Sequence, residues 1–194
     1  MWSTVPPSPE RIRAFLNEQQ AQSFSYAEVG HSLDRSPACY NLDHNRECLG
    51  RGDADFRAAC DALRRWVMFP SPWTRIEPRD APLARGQVVA MIAHIYGVWW
   101  LNACRIVYTL DEAGPIRRFG FAYGTLAAHV ECGEERFSVE MLPDGSVWYD
   151  LRAFSRPRYW PVRLAKPLAR GLQRRFIADS KRAMRKAVED ATQR

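Results

Sequence analysis

Between Trp73 and Phe154 the chain alternates, almost without a break, between strand-like runs and short turn signals, and this pattern limits the available folds more than any other feature. The runs are "WTRIEP", "GQVVAMIAHI", "VWWLNACRIVYTL", "IRRFGFAYGTL", "EERFSVEML" and "SVWYDLRAF". β-Branched and aromatic residues dominate them, while Gly97, "DEAGP", "ECG" and "PDG" separate them. Asp144-Gly145 is a strong signal for a short hairpin. Six strands joined hairpin to hairpin form a curved antiparallel sheet, and such a sheet cannot cover its own inner face.

The cover lies at the C-terminal end. Pro167 to Gln193 reads as one long helix in which Leu168, Leu172, Phe176, Ile177, Ala183, Met184, Ala187, Val188 and Ala191 recur at helical period. Pro157 and Pro161 punctuate the approach to it. Ahead of the six runs, Tyr40 to Cys48 reads as another strand, and Asp53 in "GRGDADF" is placed to N-cap a helix carrying Phe56, Ala59, Cys60, Leu63 and Trp66 on one face, ended by Pro70 and Pro72. Ser8, with Pro9 and Glu10 behind it, starts an N-terminal helix that reaches about Gln20. Phe24 to Ala38 is irregular, with a short strand expected around "SYAEVG". The expected class is α+β, with about seven antiparallel strands around a long C-terminal helix. At 194 residues one domain spanning 25–194, with 1–24 as an accessory helix, accounts for the chain.

Val88 to Val107 has the length of a membrane span, but His94, Asn102 and Arg105 lie within it and Gly97 divides it into two strand-length halves. Two buried strands are the better reading. The opening "MWSTVPPSPE" lacks the pattern of a signal peptide. Five cysteines are an odd number with no C-x-x-C pair, so free thiols in a reducing cytoplasm are expected.

The formal charge of +6 is unevenly spread: Arg152 to Arg194 holds thirteen Lys/Arg against three Asp/Glu, which leaves the rest of the chain negative. The basic face of the last helix, including Arg170, Arg174, Arg175, Lys181, Arg182, Arg185 and Lys186, suits an anionic membrane surface or a protein partner. Nucleic acid is not the expected partner, because no recognised motif accompanies the charge.

Strand alternation puts Phe119, Phe121, Tyr123 and Thr125 on one face, with Glu135, Phe137, Val139 and Met141 and then Val147, Tyr149, Leu151 and Ala153 on neighbouring strands. Asn102, Cys104 and Tyr108 share a face by the same count, with Arg105 opposite, and Glu140 and Trp148 look away from the inner side. Arg136 with Asp150, or Arg152 with Glu140, would pair across an exposed face. The dense cluster His129-Val-Glu-Cys-Gly-Glu-Glu135 has no metal-ligand spacing, and with a turn at Gly133 its side chains would splay around a loop. No nucleophile elbow is present. "GRGD" lacks the third glycine of a dinucleotide loop and carries acids where a pyrophosphate would lie. No metal, cofactor or catalytic residue is assigned.

The run "FGFAYGTLAAHVECGEERFSVEMLPDGSVWYDLRAFSRP", with "HNRECLGRGDADF" and the earlier "YAEVG", resembles the uncharacterised family called domain of unknown function 1990 of bacteria and plants. The resemblance spans Ser25 to Lys186 and centres on Y-G-T-L-x-x-H-x-x-x-G-E-E-x-F. The element order is similar to the helix-grip architecture of the START and birch-pollen-allergen superfamily, whose members bind lipids, sterols, hormones or polyketides and in some cases act as cyclases or hydrolases. By analogy of fold, this implies a small, largely apolar ligand between sheet and C-terminal helix, oriented by Tyr26, Trp99, Asn102, Tyr108, Phe121, Tyr123, His129, Glu135 and Tyr149, with Arg156 or Arg105 as an anion anchor. An enzyme using Tyr, His or Glu as acid and base on such a ligand is the alternative, and a regulatory partner-binding module the next.

Overall fold

The computed structural model describes residues 1–35, 37–70, 72–158 and 166–193. The strands are β1 (Trp2–Ser3), β2 (Asn41–Arg51), β3 (Thr74–Glu77), β4 (Val88–Ile95), β5 (Val98–Glu112), β6 (Arg117–Thr125), β7 (Glu131–Met141) and β8 (Ser146–Pro157). The helices are α1 (Pro9–Gln19), α2 (Gly52–Arg64) and α3 (Lys166–Thr192). All strand pairs are antiparallel, in the order β2-β8-β7-β6-β5-β4-β3, with the two-residue β1 added to β5. The fold is α+β and has the expected helix-grip arrangement, α3 lying on the inner face of the sheet.

Register explains how that face is filled. Phe121 stands opposite Phe137, which stands opposite Leu151, and Val139 is flanked by Phe119 and Tyr149. Phe56, Ala59 and Leu63 of α2, Trp66, Met68 and Phe69 behind it, and Met184 and Val188 of α3 close over this patch as the main core. Each large apolar side chain so buried contributes about 1.5–3 kcal/mol relative to exposure. On the outer face α1 packs Ile12, Phe15 and Leu16 against β4 and β5. Its start is as expected, with Ser8 accepting a hydrogen bond from the Arg11 amide and Pro9 in the first turn.

The Val88–Val107 stretch is the β4–β5 hairpin, turned by Tyr96 and Gly97 with φ of 51° and 78°, the left-handed pair such a turn requires. Among the described residues no helix is long and apolar enough to cross a membrane. The five cysteines are free.

Several local expectations are corrected. β2 runs straight into α2, so Arg51 takes the cap position; its amide donates to Asp55, while Asp53 pairs with Arg117. α2 stops at Arg64, well before Pro70, because Trp66 adopts φ 55° and folds back onto Phe121, donating its indole N–H to the Ala81 carbonyl. "SYAEVG" forms no strand and contributes instead to the outer-face network described below. Gly133 lies inside β7 rather than in a turn, and the reversal falls at 126–130. A bulge between Ile106 and Tyr108 turns Tyr108 to the outer face, away from Asn102 and Cys104. Arg136 and Asp150 do pair, at 2.7 Å, but the pair is buried, not exposed. Pro157 belongs to β8, and Pro161 lies outside the described residues.

Candidate functional site

The inner face changes character along its length. Toward the β4–β5 turn its side chains shrink to Ala93, Thr125, Gly133, Ala153 and Ser155, while α3 crosses above with Leu168, Leu172 and Phe176. The space left is a cavity of about 540 Å³ whose other walls include Phe69, Trp73, Met91, Ile95 and Trp100. Tyr96 at the hairpin tip is 78% exposed and Leu168 is 48% exposed, and both line the cavity, so they mark its mouth. Gly133 is required there twice over: its φ is +153°, and a Cβ would come within 1.9 Å of the Phe154 carbonyl oxygen.

The N-terminal half of α3 is held over the cavity by polar contacts. Arg170 binds Asp43 through both carboxylate oxygens at 2.7 and 3.0 Å; Gln173 accepts from Arg170 at 2.9 Å and donates to Ser155 at 3.3 Å. These bonds tie the helix to β2 and β8.

Few polar groups reach the cavity, and each is set by burial. Tyr123 donates its hydroxyl to Glu135 at 2.8 Å across the β6–β7 pair. Burial raises the Glu135 carboxyl to about 7 against the opposing effect of the Tyr123 bond, with the Asp43 charge adding to the rise. Burial and the Glu135 charge also push the Tyr123 phenol well above its ordinary range. Glu131, two places before Gly133 on the same face, is likewise raised to about 7 by burial, and its Oε2 has no hydrogen-bond partner among the described residues. His129, in the turn, accepts the Glu131 amide on Nδ1 at 2.9 Å, which puts its proton on Nε2; burial lowers its pKa to about 3, so it stays neutral. The Asn102 side-chain Oδ1 accepts from the Val130 amide at 3.4 Å.

Asn102, Tyr123, His129 and Glu135 are thus brought together on the cavity wall. Phe121 and Tyr149 share the inner face but lie in the closed core, Phe121 against Trp66 and Tyr149 hydrogen-bonded to Ser180 at 2.9 Å. The remaining five are elsewhere. Trp99 stacks on His94, with ring centres 4.2 Å apart, and packs with the α1 cluster. Arg156 lies over the Tyr40 ring at 4.7 Å, and Arg105 donates to the Gln19 and Gln20 carbonyls at the end of α1. Tyr26 and Tyr108 belong to a buried network on the outer face centred on Glu134. That carboxylate accepts from Tyr26 at 2.7 Å, from the amides of Gly30 and Ser32 at 2.7 and 3.0 Å, and from the Ser32 hydroxyl, which also meets Tyr108 at 2.7 Å. Gly124 leaves room for the Tyr26 ring, since a Cβ there would reach the Tyr26 hydroxyl at 1.9 Å. Beside it Asp150 accepts from Arg136 and His44, both at 2.7 Å; burial works to raise its pKa, but these bonds hold it below the usual carboxylate range.

Strand alternation therefore divides the acid-rich cluster: Glu131 and Glu135 face the cavity, while Cys132 and Glu134 face outward. Among the described residues no three of His, Cys, Asp and Glu converge as a metal site. Glu131 is the functional candidate that sequence reasoning missed. Counting back by twos from Glu135 finds it, once Gly133 is read as strand. The wall residues Phe69 and Trp73 follow α2 in an irregular stretch where no period points to them.

Residues 25–183 match the family model described as "Domain of unknown function (DUF1990)". A UPF0548 protein of Dictyostelium discoideum is 33% identical, over 94% of this chain and 93% of its own length, and one of Deinococcus radiodurans is 38% identical, over 90% and 92%. The chain belongs to this family. Similar solved structures include a hypothetical protein, jhp0584, from Helicobacter pylori, with TM-score 0.53 and 13% identity over 86% of this chain and 94% of that one. Another is the Zhui aromatase/cyclase from Streptomyces sp. R1128, with TM-score 0.51 and 14% identity over 77% and 94%. At these identities the likeness is one of fold.

Proposed function

We propose that this member of the DUF1990 family binds a small, largely apolar molecule in the cavity beneath the N-terminal half of α3. The observation that carries the reading is the cavity itself, about 540 Å³ walled by Trp73, Met91, Trp100, Leu172 and Phe176, with a handful of polar groups at one end. This is the composition of sites that gain affinity from buried apolar area and orientation from a few hydrogen bonds. Tyr123, Glu135, Glu131 and His129 supply that orientation. The cytoplasm, where thiols stay reduced, suits five unpaired cysteines.

A second reading, acid-base catalysis on the same ligand, is favoured by one observation. Glu135 has a pKa of about 7 and is hydrogen-bonded to Tyr123 at 2.8 Å, which places a proton donor or acceptor at the cavity wall in the range where transfer is efficient. The aromatase/cyclase neighbour lends this reading support by analogy of fold.

Native mass spectrometry of the purified protein, together with uptake of the dye 1-anilinonaphthalene-8-sulfonate, tests the binding reading. Leu172→Trp narrows the cavity, and dye affinity should fall about tenfold or more with the fold intact. Equal affinity in wild type and variant would place the dye elsewhere and defeat the reading. If a recovered ligand is turned over, Glu135→Gln should retain its affinity and lose the turnover; loss of affinity alone leaves only binding.

A further inference from the structure

The flank of α3 next to edge strand β2 forms a second concavity, a groove of about 580 Å³ whose walls bring five cations of α3 against Asp43, Asn45 and Glu47 of β2. Its charges do not balance. Arg170 is matched by Asp43, and Arg182 by Asp179 at 2.9 Å, a carboxylate that Arg175, outside the groove lining, also approaches at 3.6 Å. Lys181, at 2.9 Å, and Arg185 share the single carboxylate of Glu47. Arg174 is exposed and has no ion pair among the described residues. Two positive charges are left over, one on Arg174 and one on the Lys181–Arg185 pair. A solvated helix face ordinarily disperses such charge, but here both surplus cations line one concavity.

Helix geometry puts a seat between them. Ala178 lines the groove four residues after Arg174, three before Lys181 and four before Arg182, so all three flank it on adjacent turns. Its methyl group leaves open the volume that a longer side chain would take.

We propose that this groove binds a phosphate group, seated over Ala178 between Arg174 and Lys181. A phosphate monoester carries about 1.5 to 2 negative charges at neutral pH, which matches the surplus; a single carboxylate would leave one cation unanswered. Arg174 offers its planar fork to two phosphate oxygens and Lys181 a point charge to the third. The group can belong to a soluble phosphate ester or to a phospholipid head. The site does not depend on the apolar cavity being occupied, although Asp43 and Ile177 line both.

The full chain is titrated calorimetrically with inorganic phosphate and with glycerol 3-phosphate, and in parallel sedimented with phosphatidylcholine vesicles with and without phosphatidic acid. Binding in the soluble arm identifies a free ester; binding only to vesicles containing phosphatidic acid identifies a headgroup. In whichever arm responds, Arg174→Ala and Lys181→Ala should each weaken binding about tenfold. Lys186→Ala, which removes one positive charge from a residue of α3 outside the groove lining, should leave it unchanged. No binding in either arm, or an equal loss with Lys186→Ala, overturns the proposal, the latter reducing it to net charge. Lys181 also holds Glu47, so melting curves accompany each variant; Arg174 has no ion pair to lose among the described residues, and its result stands even if Lys181→Ala disturbs the fold.

Discussion

The inner face of the sheet is one continuous surface with two unlike halves. Under α2 and the C-terminal half of α3 it presents Phe121, Phe137, Val139, Val147 and Tyr149, all fully buried and closed by Met184 and Val188. Under the N-terminal half of α3 the same strands present Thr125, Gly133, Glu131, Glu135 and Ala153, and a cavity remains. Strand pairing continues through both halves, with bulges at Cys48/Gly50 and Ile106/Tyr108, and the difference lies in side-chain volume and in where α2 ends. Stability is gathered in the filled half, and the open half keeps buried acids that a core built for stability would replace by apolar groups.

The sharpest way to break this division is to excavate the filled half. Phe137 is fully buried against Phe69, Phe121 and Tyr123, and Phe137→Ala should cost about 3–5 kcal/mol in urea unfolding. A cost below about 1 kcal/mol would mean that the two halves are not energetically distinct.

A middle-sized effect concerns pH. The folded protein keeps the Glu135 proton up to about 7, whereas an ordinary glutamate releases it near 4.5. Stability from the neutral acid is therefore complete below pH 4.5 and is lost as pH rises to 7. Glu131 acts in the same direction over the same window. His129 acts oppositely: held neutral down to about 3 against an ordinary 6.5, it favours the fold above pH 6.5 and loses that contribution as pH falls toward 3. Glu135→Gln should make the protein more stable than wild type at pH 8, by about 2 kcal/mol, and the gain should vanish near pH 4.5. Thermal melts across that range check the slope, and a gain independent of pH would contradict the assignment.

The smallest expected effect compares one substitution in the two halves. Ala59 of α2 is fully buried in the core, while Ala153 lines the cavity. Ala59→Leu should overpack and cost about 1–3 kcal/mol, whereas Ala153→Leu should change stability by less than about 1 kcal/mol. Equal costs would show that the cavity is not usable space.

Much of this division was legible in the sequence, for a physical reason: strand alternation has a period of two, and Phe121, Tyr123, Phe137, Val139 and Tyr149 follow it without interruption. Two of the failures lie where a single residue breaks the period. The bulge before Tyr108 moved it to the outer face. Gly133, read as a turn, hid Glu131. Arg156 looks like a ligand contact by residue type, yet its parity on β8 puts it outside; Tyr26, in the irregular segment before β2, reaches the outer face by its bond to Glu134. Trp73 came to the cavity through an irregular stretch whose path depends on the whole fold, whereas Trp100 follows parity, two residues before Asn102 on β5.

One pairing has a temporal side. β2 is an edge strand whose partner, β8, begins about a hundred residues later in the chain, with Arg51 paired to Ser146 and Asn41 to Ser155. During synthesis β2 emerges long before the strand that will cover its hydrogen-bonding groups, and contacts of this range form slowly. Asp43, His44, Arg46 and Glu47 sit in the middle of that waiting segment. Charges so placed discourage an uncovered edge from pairing with another chain, so Asp43 and Glu47, which in the finished fold line the groove and bind α3, have a use before that fold closes.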